Sequence, residues 1–224
     1  MPVTEDSPTR SGPSADLSPD IDFDNLEVER VLGEDAALPV TVLRLPIVYG
    51  EADPQRRLAR YVRRMDDGRP AIILDEKVAA RRWSRGYVEN VAAAIARAAT
   101  DKRARGRTYN VAEPTTPTEV EWVGLIAETC GWNGRVVTLA SKDLPEGLRT
   151  RLRVEQDLVV NSARLRKELR YEEPVVLAEG LRRTVEWERA QQKDEQPPDY
   201  SDEDNVLAGL RASARTTLPS SASR

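Results

Sequence analysis

The stretch "LPVTVLRLPIVYG", residues 38–50, decides how the rest of this chain is read. It is a nearly continuous apolar run that ends in Tyr49-Gly50. The pattern predicts a strand over residues 39–48 covered on both faces, the habit of parallel sheets flanked by helices. Two readings of its end stay open. One is a plain buried strand with a turn; the other is a strand whose carboxyl end, at Pro46, Tyr49 and Gly50, borders a ligand.

Helices and further strands extend outward from it. Upstream, Asp24 is placed to cap a helix through "NLEVERVLGEDAAL", with Leu26, Val28, Val31 and Leu32 as its apolar side. Downstream, Asp53 as N-cap and Pro54 at the first helical position open a helix in which Leu58, Tyr61, Val62 and Met65 recur at helical spacing. "AIIL" at 71–74 reads as a strand, and a helix from about Val88 turns Val91, Ala92 and Ile95 inward. "RTYNVAE" and "RVVTLA" are further strands. Between them, Thr116-Pro117-Thr118-Glu119 reads as a capping box, Glu119 its acidic partner, opening a helix that Gly131 closes. "LPEGLRTRL", "SARLRKEL" and "VLAEGLRRTVEWERAQ" are three more helices, the last with Leu177, Leu181 and Val185 on one side. Strand and helix alternate, which predicts an α/β fold with parallel pairing. Residues 1–20 read as a loop or disordered leader and residues 191–224 as a disordered tail, leaving 21–190 as the organised region.

Composition excludes whole classes of chemistry. The chain has no histidine and one cysteine, Cys130, so histidine-based acid–base work, triads and nitrogen- or sulfur-ligated zinc within one chain are ruled out. A net charge of −4 gives no general attraction for nucleic acid or an anionic membrane. No apolar run approaches the roughly 18 to 20 residues that span a bilayer. Cysteine usage and an acidic, proline-rich start predict a cytoplasmic location.

Among charged clusters, Arg56, Arg57, Arg60, Arg63 and Arg64 read as a solvated helix face ahead of an anion patch. "ARRWSRGY" sets arginines beside Trp83 and Tyr87, and phosphate contact and a surface loop stand about level there. Trp122, Trp132 and Trp187 read as packing residues, and Cys130 as a buried small residue with no base to activate it.

Four segments in order, "LRLPIVYG", "RGYVENVAAAI", "TYNVAEP" and "NSARLRKELRYEEPVVLAEGLRRTVEW", resemble the C-terminal half of the extended short-chain dehydrogenases/reductases, the NAD-dependent epimerase/dehydratase group. The resemblance runs over roughly residues 20–190. It implies part of a Rossmann-type parallel sheet plus the small C-terminal substrate domain of that group. It implies NAD or NADP as the group's cofactor and a sugar nucleotide or related small molecule as substrate. Carried residue by residue, it places Pro46, Ile47, Val48 and Tyr49 at the nicotinamide end, and Arg82, Arg85 and Tyr87 at the substrate, with the equivalent arginine open among Arg81, Arg82 and Arg85.

Two departures from the group's pattern stand out. No glycine-rich turn of the kind that lets backbone approach a pyrophosphate occurs in this chain. The group's catalytic tyrosine and lysine, four residues apart, align with Ile21 and Asn25, which neither exchange a proton nor carry charge. No catalytic residue is therefore assigned. The expectation is a truncated relative, inactive alone; the alternative is a non-catalytic interaction module that self-associates through exposed sheet edges.

Overall fold

The computed structural model describes residues 1–9, 25–34, 37–150, 156–192, 196 and 198–216. Asp24 and Ile21 lie outside them. The fold is α/β, with three two-stranded parallel sheets among the described residues. The chain divides into two interleaved compact units.

The first unit comprises residues 1–58, 82–117 and 157–184. The opening apolar run does not form one strand. It splits into β1 (Val42–Arg44) and β2 (Ile47–Tyr49), each with its own partner. β1 pairs with β5 (Thr108–Asn110), Leu43 beside Tyr109. β2 pairs with β4 (Arg85–Tyr87), Val48 beside Gly86 and Tyr49 beside Tyr87. Pro46 is the reason, because it lacks the N–H that an uninterrupted ladder needs. Nor is the run covered on both faces: Val42 and Leu43 are half-buried and Leu45 is 48% exposed.

β4 passes straight into α4 (Val88–Thr100). Its buried stripe is Val91, Ala94 and Ala98 rather than the expected Val91, Ala92 and Ile95; Ile95 is 43% exposed. The small alanines let this face lie close against Tyr109, Val111, Leu165 and Leu169, which complete the core of the unit. Leu165 and Leu169 come from α6 (Ala163–Leu169). α1 (Asn25–Glu34) buries no residue, and Val28 and Val31 on its expected apolar side are exposed. A bidentate pair ties it to β1, Arg44 Nε and Nη2 donating to Glu29 at 3.0 and 2.7 Å. The first residues are anchored as well: Val3 forms a parallel bridge to Val160, and the Glu5 carboxylate accepts from the Asn110 amide at 2.9 Å.

The second unit comprises residues 59–81, 118–156 and 185–224. β3 (Ala71–Asp75) and β6 (Arg135–Leu139) run parallel over five residues, Ala71 beside Arg135. α2 (Ala59–Asp66) packs on α5 (Glu119–Cys130). A short helix, α3 (Glu76–Ala79), follows β3 under an Asp75 cap.

Tyr61, Val62 and Met65 are buried as their spacing predicts, but α2 starts later than expected. Asp53 caps a turn instead, accepting from the Gln55 and Arg57 amides at 3.0 Å each, and Ala52 and Arg56 take left-handed φ of 60° and 45°. The capping box of α5 is displaced likewise. Thr118 is the N-cap and Glu121 its partner, so Glu119 is left for another role. Gly131 ends the helix at φ 69° as expected.

"LPEGLRTRL" yields one short 3₁₀ turn at Glu146–Leu148, not a helix, among its described residues; another 3₁₀ turn, Ser141–Asp143, precedes it. α7 (Leu177–Gln191) is present, with Leu181 and Val185 buried. Where composition predicts a disordered tail, Ser201–Thr216 is helix α8, with Glu203 and Leu207 buried.

Candidate functional site

The carboxyl ends of β2 and β4 bring two tyrosines together. Tyr49 and Tyr87 are 1% and 0% exposed, their ring centroids 5.7 Å apart and tilted by 51°. Parallel register dictates the pairing, since residues opposite one another on adjacent strands present side chains to the same face. Gly180 gives the pair its room: a Cβ there would meet Tyr87 Cγ at 2.9 Å. On the neighbouring register position, a Cβ on Gly86 would meet Pro46 Cγ at 2.9 Å and Val91 Cγ2 at 2.8 Å.

Each phenol has a carboxylate partner. Tyr49 Oη donates to Glu113 Oε1 at 2.8 Å, and the Tyr87 backbone N–H donates to the same oxygen at 3.2 Å. Glu113 follows β5 and is held by its own N–H donating to Arg85 O at 2.9 Å. Tyr87 Oη donates to Glu51 at 2.8 and 3.1 Å. Burial, reinforced by Glu113, drives the Tyr49 phenol far above its ordinary range. Burial and then Glu51 push Tyr87 up to about 12. Burial raises Glu113 also, against the opposing hydrogen bonds from Tyr49 and the Tyr87 amide. Neither phenol releases a proton near neutrality.

The candidate residues from the sequence divide accordingly. Ile47 and Val48 are half-buried in β2, Pro46 sits beneath Gly86, and Tyr49 is sealed inside rather than presented at an edge. Of the three substrate candidates, Arg85 and Tyr87 are buried at 6% and 0%. Arg82 alone is exposed, with Nη1 donating to Thr116 O at 2.8 Å. The role of Glu113 was missed by sequence reasoning; the signal was its place just after the β5 strand, at the carboxyl edge of a parallel pair. A pocket of about 380 Å³ opens on that side among Pro2, Glu113, Pro114, Thr116, Asn161 and Arg166.

In the second unit, Glu119 is 2% exposed and accepts from Tyr61 Oη at 2.5 Å and from Arg60 at 3.4 Å. It is a buried acceptor, not a capping residue. The arginines expected on a solvated face are mostly spent on carboxylates. Arg63 pairs with Asp67 at 3.0 Å and Arg64 with Glu203 at 2.5 Å, and only Arg60 among these three keeps a largely exposed side chain. Cys130 is half-buried and burial pushes its thiol up to about 11, which keeps it mostly protonated near neutrality. Among the described residues no cluster of His, Cys, Asp and Glu could hold a metal ion.

Residues 27–112 match the family described as NAD dependent epimerase/dehydratase. A curated relative, a dTDP-glucose 4,6-dehydratase from Streptomyces griseus, is 29% identical over 151 residues, covering 67% of this chain and 43% of that protein. Over these residues the chain is similar to that family. Solved structures share the fold. One is a UDP-glucose 4-epimerase from Thermotoga maritima with UDP-glucose, at TM-score 0.57 and 24% identity, covering 75% of this chain and 51% of that one. Another is a dTDP-glucose 4,6-dehydratase from Streptomyces venezuelae with NAD and TYD bound, at TM-score 0.58 and 21% identity, covering 74% and 48%. The chain spans less than half the length of its curated relative and about half of these structures.

Among the described residues, no turn has the glycine-rich build that cradles a pyrophosphate. The turn from β4 into α4 carries no glycine, and Glu89 stands in the first turn of that helix, where its charge repels a phosphate. Gly50 packs directly against Val88, where a Cβ on Gly50 would lie 2.5 Å from Val88 Cγ1. Gly50, Gly68, Gly106 and Gly131 have positive φ, but they stand singly and build no G-x-G cradle.

Proposed function

We propose that this chain is a non-catalytic relative of the nucleotide-sugar epimerases and dehydratases. In this reading the parent reaction is NAD(P)-dependent redox chemistry on a sugar nucleotide, and this polypeptide by itself neither holds a dinucleotide tightly nor turns over a substrate. The observation that carries it is the sealed Tyr49–Glu113 pair. Tyr49, at the end of β2, is held by a buried carboxylate and keeps its proton. No lysine stands at the aligned position, where Asn25 opens α1. Nor can Tyr49 stand in for the tyrosine whose aligned position is Ile21, since a catalytic phenol needs a lowered pKa and a reachable hydroxyl.

Arg82 is the exposed candidate for a residual contact with a sugar-nucleotide phosphate. Cysteine usage favours the cytoplasm, and none of the described helices is long and apolar enough to cross a membrane. Calorimetry of the full chain with NADH and with UDP-glucose tests the reading. No binding of NADH at micromolar concentrations is expected; micromolar affinity for it overturns the proposal.

A second reading, self-association with another copy, is favoured by α1. That helix buries nothing, and Val28 and Val31 are 45% and 51% exposed beside β1, which has one strand partner among the described residues.

A further inference from the structure

A second cluster of charge, independent of the tyrosine pair, lies where α8 begins. Arg64 of α2 and Arg69, in the turn before β3, face the ring of Tyr200, with guanidinium carbons 5.5 and 4.4 Å from its centroid. The Tyr200 hydroxyl donates to Asp67 at 2.7 Å. Glu203, 3% exposed, places Oε1 against the Nε–Nη2 edge of Arg64 at 2.8 and 2.5 Å. Arg64 Nη1 donates to Arg60 O, and Arg69 Nη2 pairs with Asp204.

The fit is incomplete. Glu203 Oε2 and Arg69 Nε face each other 3.9 Å apart, both buried, and neither makes a hydrogen bond among the described residues. Buried polar atoms are rarely left so, and a pair of opposite charge left so calls for a reason. A carboxylate holds its two oxygens in one plane. Seating one of them on Arg64 turns the other off the edge of Arg69. A phosphate group presents oxygens in tetrahedral directions and meets two guanidinium forks together, with more charge to offer each.

We propose that Arg64, Arg69 and the Tyr200 ring form a binding site for a phosphoanion, held closed in this chain by the Glu203 carboxylate as its built-in occupant. The arginine run on α2 is thereby explained in part: Arg64 serves a site covered by the chain's own acidic helix start. The ligand class is a phosphate or diphosphate, free or carried on a nucleoside.

The test titrates the full chain with inorganic pyrophosphate at low ionic strength, followed by phosphorus NMR and calorimetry. Glu203→Ala clears both the charge and the volume, and is expected to bind pyrophosphate about tenfold tighter than the unaltered chain. Adding Arg69→Gln to that variant is expected to abolish the gain. Glu203→Gln removes only the charge and is expected to bind more tightly than the unaltered chain, so it serves where Glu203→Ala unfolds. UDP separates the sources: affinity equal to pyrophosphate places recognition in the phosphates. No gain in either Glu203 variant overturns the proposal. So does a gain that survives Arg69→Gln, or binding of UDP without pyrophosphate.

Discussion

Tyr49, Tyr87 and Glu113 show how little a residue's identity says before its partner is known. Both tyrosines are fully buried, yet their hydroxyls are held differently, Tyr49 by a buried carboxylate and Tyr87 by Glu51 on a half-exposed turn. Tyr49→Phe leaves the buried Glu113 carboxyl with one donor fewer and is expected to destabilise by about 1–3 kcal/mol. Tyr87→Phe lets water replace the lost donor at Glu51 and is expected to cost about 1 kcal/mol or less. Urea midpoints of the two variants check this, and equal losses refute the distinction. Glu113 adds a pH dependence. Burial holds its folded pKa above the unfolded value, so its contribution is full below the ordinary carboxylate range and disappears as pH rises through the folded value. Glu113→Gln cannot titrate. Its stability relative to the unaltered chain is expected to climb with pH across that window, and urea melts between about pH 4 and 8 would reveal a flat difference if the assignment is wrong.

At the level of elements, small shifts in where a helix starts change which residue does what. The α5 box sits on Thr118 and Glu121, two residues past the Thr116–Glu119 spacing. Thr118 Oγ1 accepts from the Glu121 amide at 3.3 Å, and the Glu121 carboxylate accepts from the Thr118 N–H at 2.7 Å. Thr118→Ala is therefore expected to destabilise by about 1 kcal/mol. Glu119→Gln is expected to leave the helix start intact while weakening the bond from Tyr61, a contrast that amide exchange in the first turn of α5 resolves from tyrosine fluorescence. The β1–β2 break has the same local origin. Pro46 removes one donor, and the chain changes strand partners from β5 to β4 within two residues. In α4, alanine at positions 94 and 98 sets the buried face, because small side chains allow close approach and leave Ile95 outside.

On the scale of the whole molecule, self-association is the property that two α1 substitutions would expose. The unaltered chain is expected to form a concentration-dependent oligomer in light scattering, and Val28→Glu with Val31→Glu is expected to return it to monomer. A monomer at all concentrations excludes that second reading. Much of the architecture was legible beforehand. Alternation of patterns predicted α/β with parallel pairs, the 61–62–65 spacing found the buried face of α2, and four segments in order pointed to the group that residues 27–112 match. Those properties are local, set by periodicity and by glycine and proline over a few residues, so the sequence by itself determined them. Partnership was not legible. Tyr49 meets Glu113 across 64 residues, Tyr61 meets Glu119 across 58, and Arg64 meets Glu203 across 139. Whether a polar side chain faces solvent, a ligand or a buried counter-charge depends on what the fold brings to it from far along the chain. Only the tertiary structure decided that Tyr49 is sealed, that Arg85 is buried and that an acidic helix closes over two arginines.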